Sequence, residues 1–193
     1  MRKWIFTIPL LAGCFLLTSN RSMAQEVVHA LTGTVKNIDA TAKTITIDTD
    51  DGSEGDFGQV AGSHKTAALE KALRNGAIAA GMFTQNGAHV IVYYQGWGNA
   101  RTAIAFQPLV AGPITISDGT VVKFEKSSQV LTIKEPSGTA GSFKVASDTV
   151  AETGIGAVEG LKFDPAKGQH VRITSTQSNG VEKALFIFAA FAN

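Results

Sequence analysis

Apolar and polar residues alternate in short bursts along most of this chain. Thr44-Ile45-Thr46-Ile47 sets isoleucines against threonines, and Val130-Leu131-Thr132-Ile133 does the same later. Val90 and Val92 continue the pattern, as do Val171 and Ile173. Two-residue alternation with β-branched residues, bounded by Gly, Asp and Ser clusters, predicts half-buried strands. Strands are expected near 32–39, 43–49, 55–60, 88–95 and 100–107, with equivalents in the second half. One stretch changes period. "SHKTAALEKALRN" (63–75) places Leu69, Ala72 and Leu73 at helical spacing, with Ser63 as N-cap and Gly76 past the end. The second half has "ASDTVAETGIGAVEGLKFDPAKG" in that place, with a weaker helical pattern.

The two halves repeat one another. "GTVKNIDATAKTITIDTDDGSEGDF" (33–57) lies over "GTVVKFEKSSQVLTIKEPSGTAGSF" (119–143) without a gap, at a shift of 86. "GAHVIVYY" (87–94) meets "GQHVRITS" (168–175) at a shift of 81, so the first repeat is about five residues longer in its middle. Pro108 and Pro113 bracket a short linker, which puts repeat boundaries at 26–110 and 111–193. A helix between the third and fourth strands of a five-stranded unit is the plan of an OB-like barrel. The fold expected is therefore all-β with one short helix: two tandem five-stranded OB-like or SH3-like small barrels. In its order of G-T-V, T-I-x-I, Gly, Phe, G-x-H-V and a closing Ala-apolar strand, the chain resembles secreted bacterial tandem-repeat proteins of unknown function. That resemblance implies OB-like or SH3-like units and no catalytic residues.

The N-terminus bears on location. Arg2 and Lys3 precede an apolar run from Trp4 to Leu17, then Ser22-Met23-Ala24. This order predicts a signal peptide over 1–24, cleaved before Gln25. Residues 11–14, Leu-Ala-Gly-Cys, also read as a lipobox in which Cys14 carries lipid and anchors the chain to a membrane. The free form, periplasmic or secreted, is preferred because the apolar run continues through Phe15, Leu16 and Leu17. Cleavage removes Arg2, Lys3 and Arg21 but no acid, so the formal charge moves from +1 to −2. A chain without a basic footprint is not expected to bind nucleic acid. The single cysteine also leaves, so the exported chain must stand on its apolar core.

Candidate chemistry is sparse. "DTDDGSEGD" gathers Asp48, Asp50, Asp51, Glu54 and Asp56 around Gly52 and Gly55. It reads either as the polar tip of a hairpin with Asp-Gly turn chemistry or as a weak calcium loop. The glycines recur in "KEPSGTAGS" and the acids mostly do not. His29, His64, His89 and His170 lack zinc spacing and read as surface or interface residues. "VIVYYQGWGNAR" supplies Tyr93, Tyr94, Trp97 and Arg101, the best ligand-binding candidates, either as a face that stacks on sugars or an apolar partner or as a lid that covers the barrel's own core or packs against the second repeat. "ALFIFAAFAN" is apolar on both faces. With Leu185 and Ile187 facing the barrel, Phe186, Phe188 and Phe191 need cover from the other repeat or a second molecule. "GIGAVEG" lacks the strand and helix of a dinucleotide site, and no nucleophile, base and acid assemble in the sequence. The reading is an exported, non-catalytic binding or envelope-associated module with no cofactor unless calcium. Its partner is an unknown protein or glycan, and cell-wall oligosaccharide binding is the alternative. N-terminal sequencing of the exported protein should return a chain beginning at Gln25; a lipid-modified Cys14 would instead establish the anchored form.

Overall fold

The structure is a computed structural model, and it describes residues 27–59, 66–109 and 112–189. The predicted signal peptide, Cys14, His64 and Phe191 lie outside the described residues. No helix among the described residues is long and apolar enough to cross a membrane.

The first repeat runs β1 (His29–Asp39), β2 (Thr44–Thr49), β3 (Glu54–Gln59), α1 (Ala67–Arg74), β4 (Ile78–Ala79), β5 (His89–Gln95) and β6 (Thr102–Pro108). Its sheet order is β3-β2-β1-β5-β6-β4, and β3 also pairs with β6 in parallel through Gly58 and Thr102. That pairing closes five strands into a barrel with the OB strand order. The second repeat runs β7 (Ile114–Glu125), β8 (Val130–Lys134), β9 (Ala140–Lys144), β10 (Val150–Thr153), β11 (Gly156–Glu159), β12 (His170–Ser178) and β13 (Val181–Ala189). There β13 closes on β9, again in parallel, at Lys183 and Lys144. The all-β architecture and the single short helix are as the sequence predicts. Thr66, rather than Ser63, caps the helix by accepting a hydrogen bond from the Leu69 N–H. Where the second repeat carries only a weak helical pattern, it builds the β10–β11 hairpin instead.

The shared residues explain themselves. A Cβ on Gly33 would overlap Asp48 O and the Ile47 side chain; on Gly119 it would come within 2.8 Å of Lys134 O and Ile133 Cδ1. Gly52 and Gly138 hold φ of +83° and +89° in the β2–β3 and β8–β9 turns, a region that favours glycine. Each barrel also carries a one-residue bulge at an equivalent place. Tyr93 faces Ala105 while Tyr94 faces Ala103, which leaves Ile104 over; Thr174 faces Phe186 while Ser175 faces Ala184, which leaves Leu185 over.

This bulge corrects one expectation. Leu185 does not enter the barrel; Ala184, Ile187 and Ala189 do, beside Val121, Leu131, Ile133 and Phe143. The first barrel is filled by Val35, Ile45, Ile47, Phe57, Val90, Val92 and Phe106. A third cluster lies between the repeats. Val28, Ala30, Leu69, Ala72, Ile91, Tyr93 and Ile104 from the first repeat meet Val150 and Phe186 from the second. Phe186 is covered by the partner repeat, as expected, and Phe188 remains 40% exposed.

Polar groups buried at this junction find partners across it. His29 Nδ1 lies 2.7 Å from Glu152 Oε1, and the Ala30 N–H donates to Glu152 Oε2 at 2.7 Å. Both side chains are buried. Lys71 of α1 pairs with Glu159 of β11 at 3.2 Å, and the Ala157 N–H donates to Val28 O at 2.8 Å. Burial pushes the Glu152 carboxyl above its ordinary value, and the bonds from His29 and Ala30 only partly oppose that.

Two outcomes follow from the junction. Phe186→Ala should cost about 3–5 kcal/mol in denaturant unfolding, whereas Phe188→Ala should cost about 1 kcal/mol or less; equal losses would misplace Phe186. A carboxyl raised on folding holds its proton more tightly in the folded state. Its contribution to stability is therefore greatest below the unfolded value of 4.5 and falls as pH rises through the folded value. Glu152→Gln should gain on the wild type from pH 4.5 upward, and a pH-independent difference in unfolding free energy would contradict this assignment.

Candidate functional site

The acidic stretch forms the β2–β3 turn. The Gly52 N–H donates to Thr49 O and the Thr49 N–H to Ser53 O. The second repeat makes the same two bonds, from Gly138 to Glu135 O and from Glu135 to Thr139 O. The carboxylates then part company. Lys36 pairs with Glu54 and, at 3.7 Å, with Asp48, in solvent. Thr46 Oγ1 donates to Asp56 at 2.6 Å, also in solvent. Asp51 accepts from the Thr49 hydroxyl and from the Ser53 N–H at 2.9 Å, both on Oδ1. Among the described residues, no three His, Cys, Asp or Glu side chains come together as metal ligands. The five acids thus divide between the solvent side of the hairpin, its own turn and, through Asp50, the second repeat.

Asp50 is the exception in direction. Its side chain turns inward to His89 Nε2 at 3.2 Å, and Thr174 Oγ1 of the second repeat donates to it at 2.9 Å. Arg172 Nη1 reaches Asp50 O at 3.3 Å, and Arg172 itself forks onto Asp118 at 2.9 and 3.2 Å. Thr32 and Thr174 hydroxyls meet at 3.2 Å. Burial alone would raise the Asp50 pKa, but the bonds from His89, Thr32 and Thr174 outweigh it and hold the carboxyl below its ordinary value.

Beside this clasp lies a cleft of about 160 Å³ between the repeats. Ala30, Leu31, Tyr94, Phe186 and Phe188 form its apolar wall, and Thr32, Thr49, Asp50, Asp51, Ser53, Arg101 and Arg172 its polar one. Arg101 lies flat with Cζ 4.6 Å from the centre of the Phe57 ring and 5.9 Å from that of Tyr94. Tyr94 meets Phe57 edge-on at 5.4 Å. Arg101 Nε is buried without a hydrogen-bond partner, and Arg101 forms no ion pair with the described residues. A wider hollow of about 610 Å³ also lies between the repeats, but its charges are matched: Lys71 by Glu159 and Lys183 by Asp148.

The cleft gathers members of all three groups singled out from the sequence: Tyr94 and Arg101, Asp50 and Asp51, Phe186 and Phe188. It leaves others out. Tyr93 is fully buried in the junction and donates to Gln107 Oε1 at 3.0 Å, so it offers no stacking face. Trp97 is 67% exposed and stands edge-on to His29 at 4.4 Å, outside the cleft lining. Asp48, Glu54 and Asp56 are likewise outside it. His170 is exposed, whereas His89 holds Asp50 and Thr34. From sequence, His29 reads only as a surface or interface histidine, and Glu152, Arg172 and Thr174 are not singled out as site residues. Arg172 and Thr174 replace Ile91 and Tyr93 of the first repeat, and that exchange on an outward strand face is the signal that marks them.

No family model matches the chain, and no curated protein matches it. Among solved structures it is similar to the crystal structure of Ag(I)CusF, at 13% identity and a TM-score of 0.32, the match covering 40% of this chain and 99% of that one.

Proposed function

We propose that this chain is an exported, non-catalytic binding module whose ligand sits in the cleft between the two repeats. The observation that carries the reading is the cleft itself: an apolar wall with an arginine on it whose donors the described residues leave unused. Small-molecule sites are concave, largely apolar and furnished with a few convergent polar groups, and they favour domain junctions.

One constellation invites a catalytic reading and does not sustain it. Thr34 Oγ1, His89 and Asp50 line up as hydroxyl, imidazole and carboxylate, each step at 3.2 Å. Acyl transfer needs a reacting carbonyl beside the hydroxyl and donors for its oxyanion. Neither Thr34 nor His89 borders the cleft, so a substrate held there does not reach the hydroxyl. The relay serves to orient Asp50 toward the second repeat.

The second reading, an oligosaccharide on the aromatic hairpin, rests on the exposure of Trp97 between Gly96 and Gly98. Amide NMR spectra of the chain from Gln25 separate the two. Small organic solutes should shift the amides of Thr32, Tyr94, Arg101 and Phe188. Shifts confined to Trp97 and its neighbours, seen only with cell-wall oligosaccharides, would favour the hairpin; no shift with either would overturn both readings.

A further inference from the structure

Building on the cleft as the ligand site, we infer that its occupant is an organic monocarboxylate carrying an apolar group about the size of one ring. The charge argument comes first. Arg172 is spoken for by Asp118, which receives two of its N–H groups. Arg101 has no such partner among the described residues, and its Nε is shut away from water without an acceptor. That Nε is as far from a ligand as from water, so the donors the cleft offers are the terminal Nη groups. Arg101 Nη2 packs against Gly55, where a Cβ would sit 2.8 Å from it and 3.0 Å from the Phe57 ring. The equivalent place in the second repeat holds Glu182, which accepts from Ser175 at 2.6 Å. The open cation therefore belongs to one repeat and is not required by the barrel.

An open planar guanidinium matches a carboxylate or a phosphate through two parallel hydrogen bonds. Asp50 and Asp51 stand on the same lining and decide between them. Asp51 is exposed on the lining, bonds Thr49 and Ser53 through Oδ1, and adds negative charge to the cleft. A second negative charge on the ligand would meet that field at short range in a partly dry site. A monoanion is thus favoured over a phosphate dianion. The size argument comes last. An apolar cavity of about 150 Å³ accepts benzene, and the cleft measures about 160 Å³ with Leu31, Phe186 and Phe188 on its apolar side.

Benzoate, benzyl alcohol and phenyl phosphate test this directly by NMR titration of the full exported chain. Benzoate should bind at least about 10-fold more tightly than benzyl alcohol, the scale of one charge-assisted hydrogen-bond pair, and more tightly than phenyl phosphate. Arg101→Gln should remove most of the preference for benzoate over benzyl alcohol, with an amide spectrum away from the cleft that overlays the wild type's and shows the fold intact. Arg101→Lys should retain part of the preference, and Asp51→Asn should strengthen phenyl phosphate. Cleft shifts of equal strength with benzoate and benzyl alcohol would overturn this inference and leave the cleft standing as a binding site. Phenyl phosphate binding as tightly as benzoate would overturn the choice of a monoanion. If none of the three probes moves a cleft amide in the wild type, the inference and the cleft reading fall together.

Discussion

A bulge where the last strand of each barrel pairs with its neighbour decides which side chains leave the barrel. A strand shows alternate side chains to its two faces, so a single-residue bulge exchanges inside for outside from that point on. At Leu185 the bulge sends Ala184 inward on one side and keeps Ile187 inward on the other. Phe186, next to the inward Ile187, faces out of the barrel by ordinary alternation and enters the junction with the first repeat. At Ile104 the matching bulge presents Ile104 to the same junction and keeps Ala103 in the first barrel. The junction combines the bulge residue Ile104 with outward residues of ordinary strand alternation, Ile91, Tyr93 and Phe186. The cleft forms where this apolar junction gives way to the polar turn of β2 and β3.

The repeats share a barrel and divide the work of joining. On the fourth barrel strand the first repeat carries Ile91 and Tyr93 outward, and the second carries Arg172 and Thr174. The apolar pair supplies area; the polar pair supplies direction by bonding Asp50. Area alone fixes a register poorly, because apolar surfaces slide at little cost. Buried polar groups penalise every arrangement that leaves them unpaired, at about 1–3 kcal/mol each. His29 with Glu152 and Asp50 with Thr174 bond across this contact at the two strands flanking β13, so they favour one placement of the repeats over others.

Much of the barrel was legible from sequence because its rules are local. Alternation at Ile45 and Ile47 named a strand, and Gly52 with Gly138 named a turn. The repeat did the rest, since a residue present in both halves serves what both halves share. The β10–β11 hairpin was not legible: Ala151, Glu152 and Ala157 have no strong β pattern, and the hairpin owes its place to β13 and the first repeat. Leu185 misled for a related reason, because a bulge leaves no mark on composition. Of the candidate residues, Tyr94, Arg101, Asp50, Asp51, Phe186 and Phe188 were visible as three unrelated groups. Only the packing of one repeat on the other brings them together, and Tyr93 drops out because alternation places it on the opposite face from Tyr94.

Arg101 is the residue that the fold alone explains least. Stacking on Phe57 contributes about 0.5–2 kcal/mol through the cation–π attraction. Leaving a buried N–H unpaired costs about 1–3 kcal/mol. The two nearly cancel, so an arginine here adds little that an apolar side chain would not. The second repeat illustrates this, since it closes an equivalent barrel with Glu182 in the same place. Stability therefore does not select an arginine at this position. An acceptor held in the cleft would instead gain a charge-assisted bond from the terminal Nη groups, beside Tyr94 and Phe57. The guanidinium is fixed in advance by stacking, so binding need not order it, and the ordering cost that a free surface arginine would carry is already met within the fold.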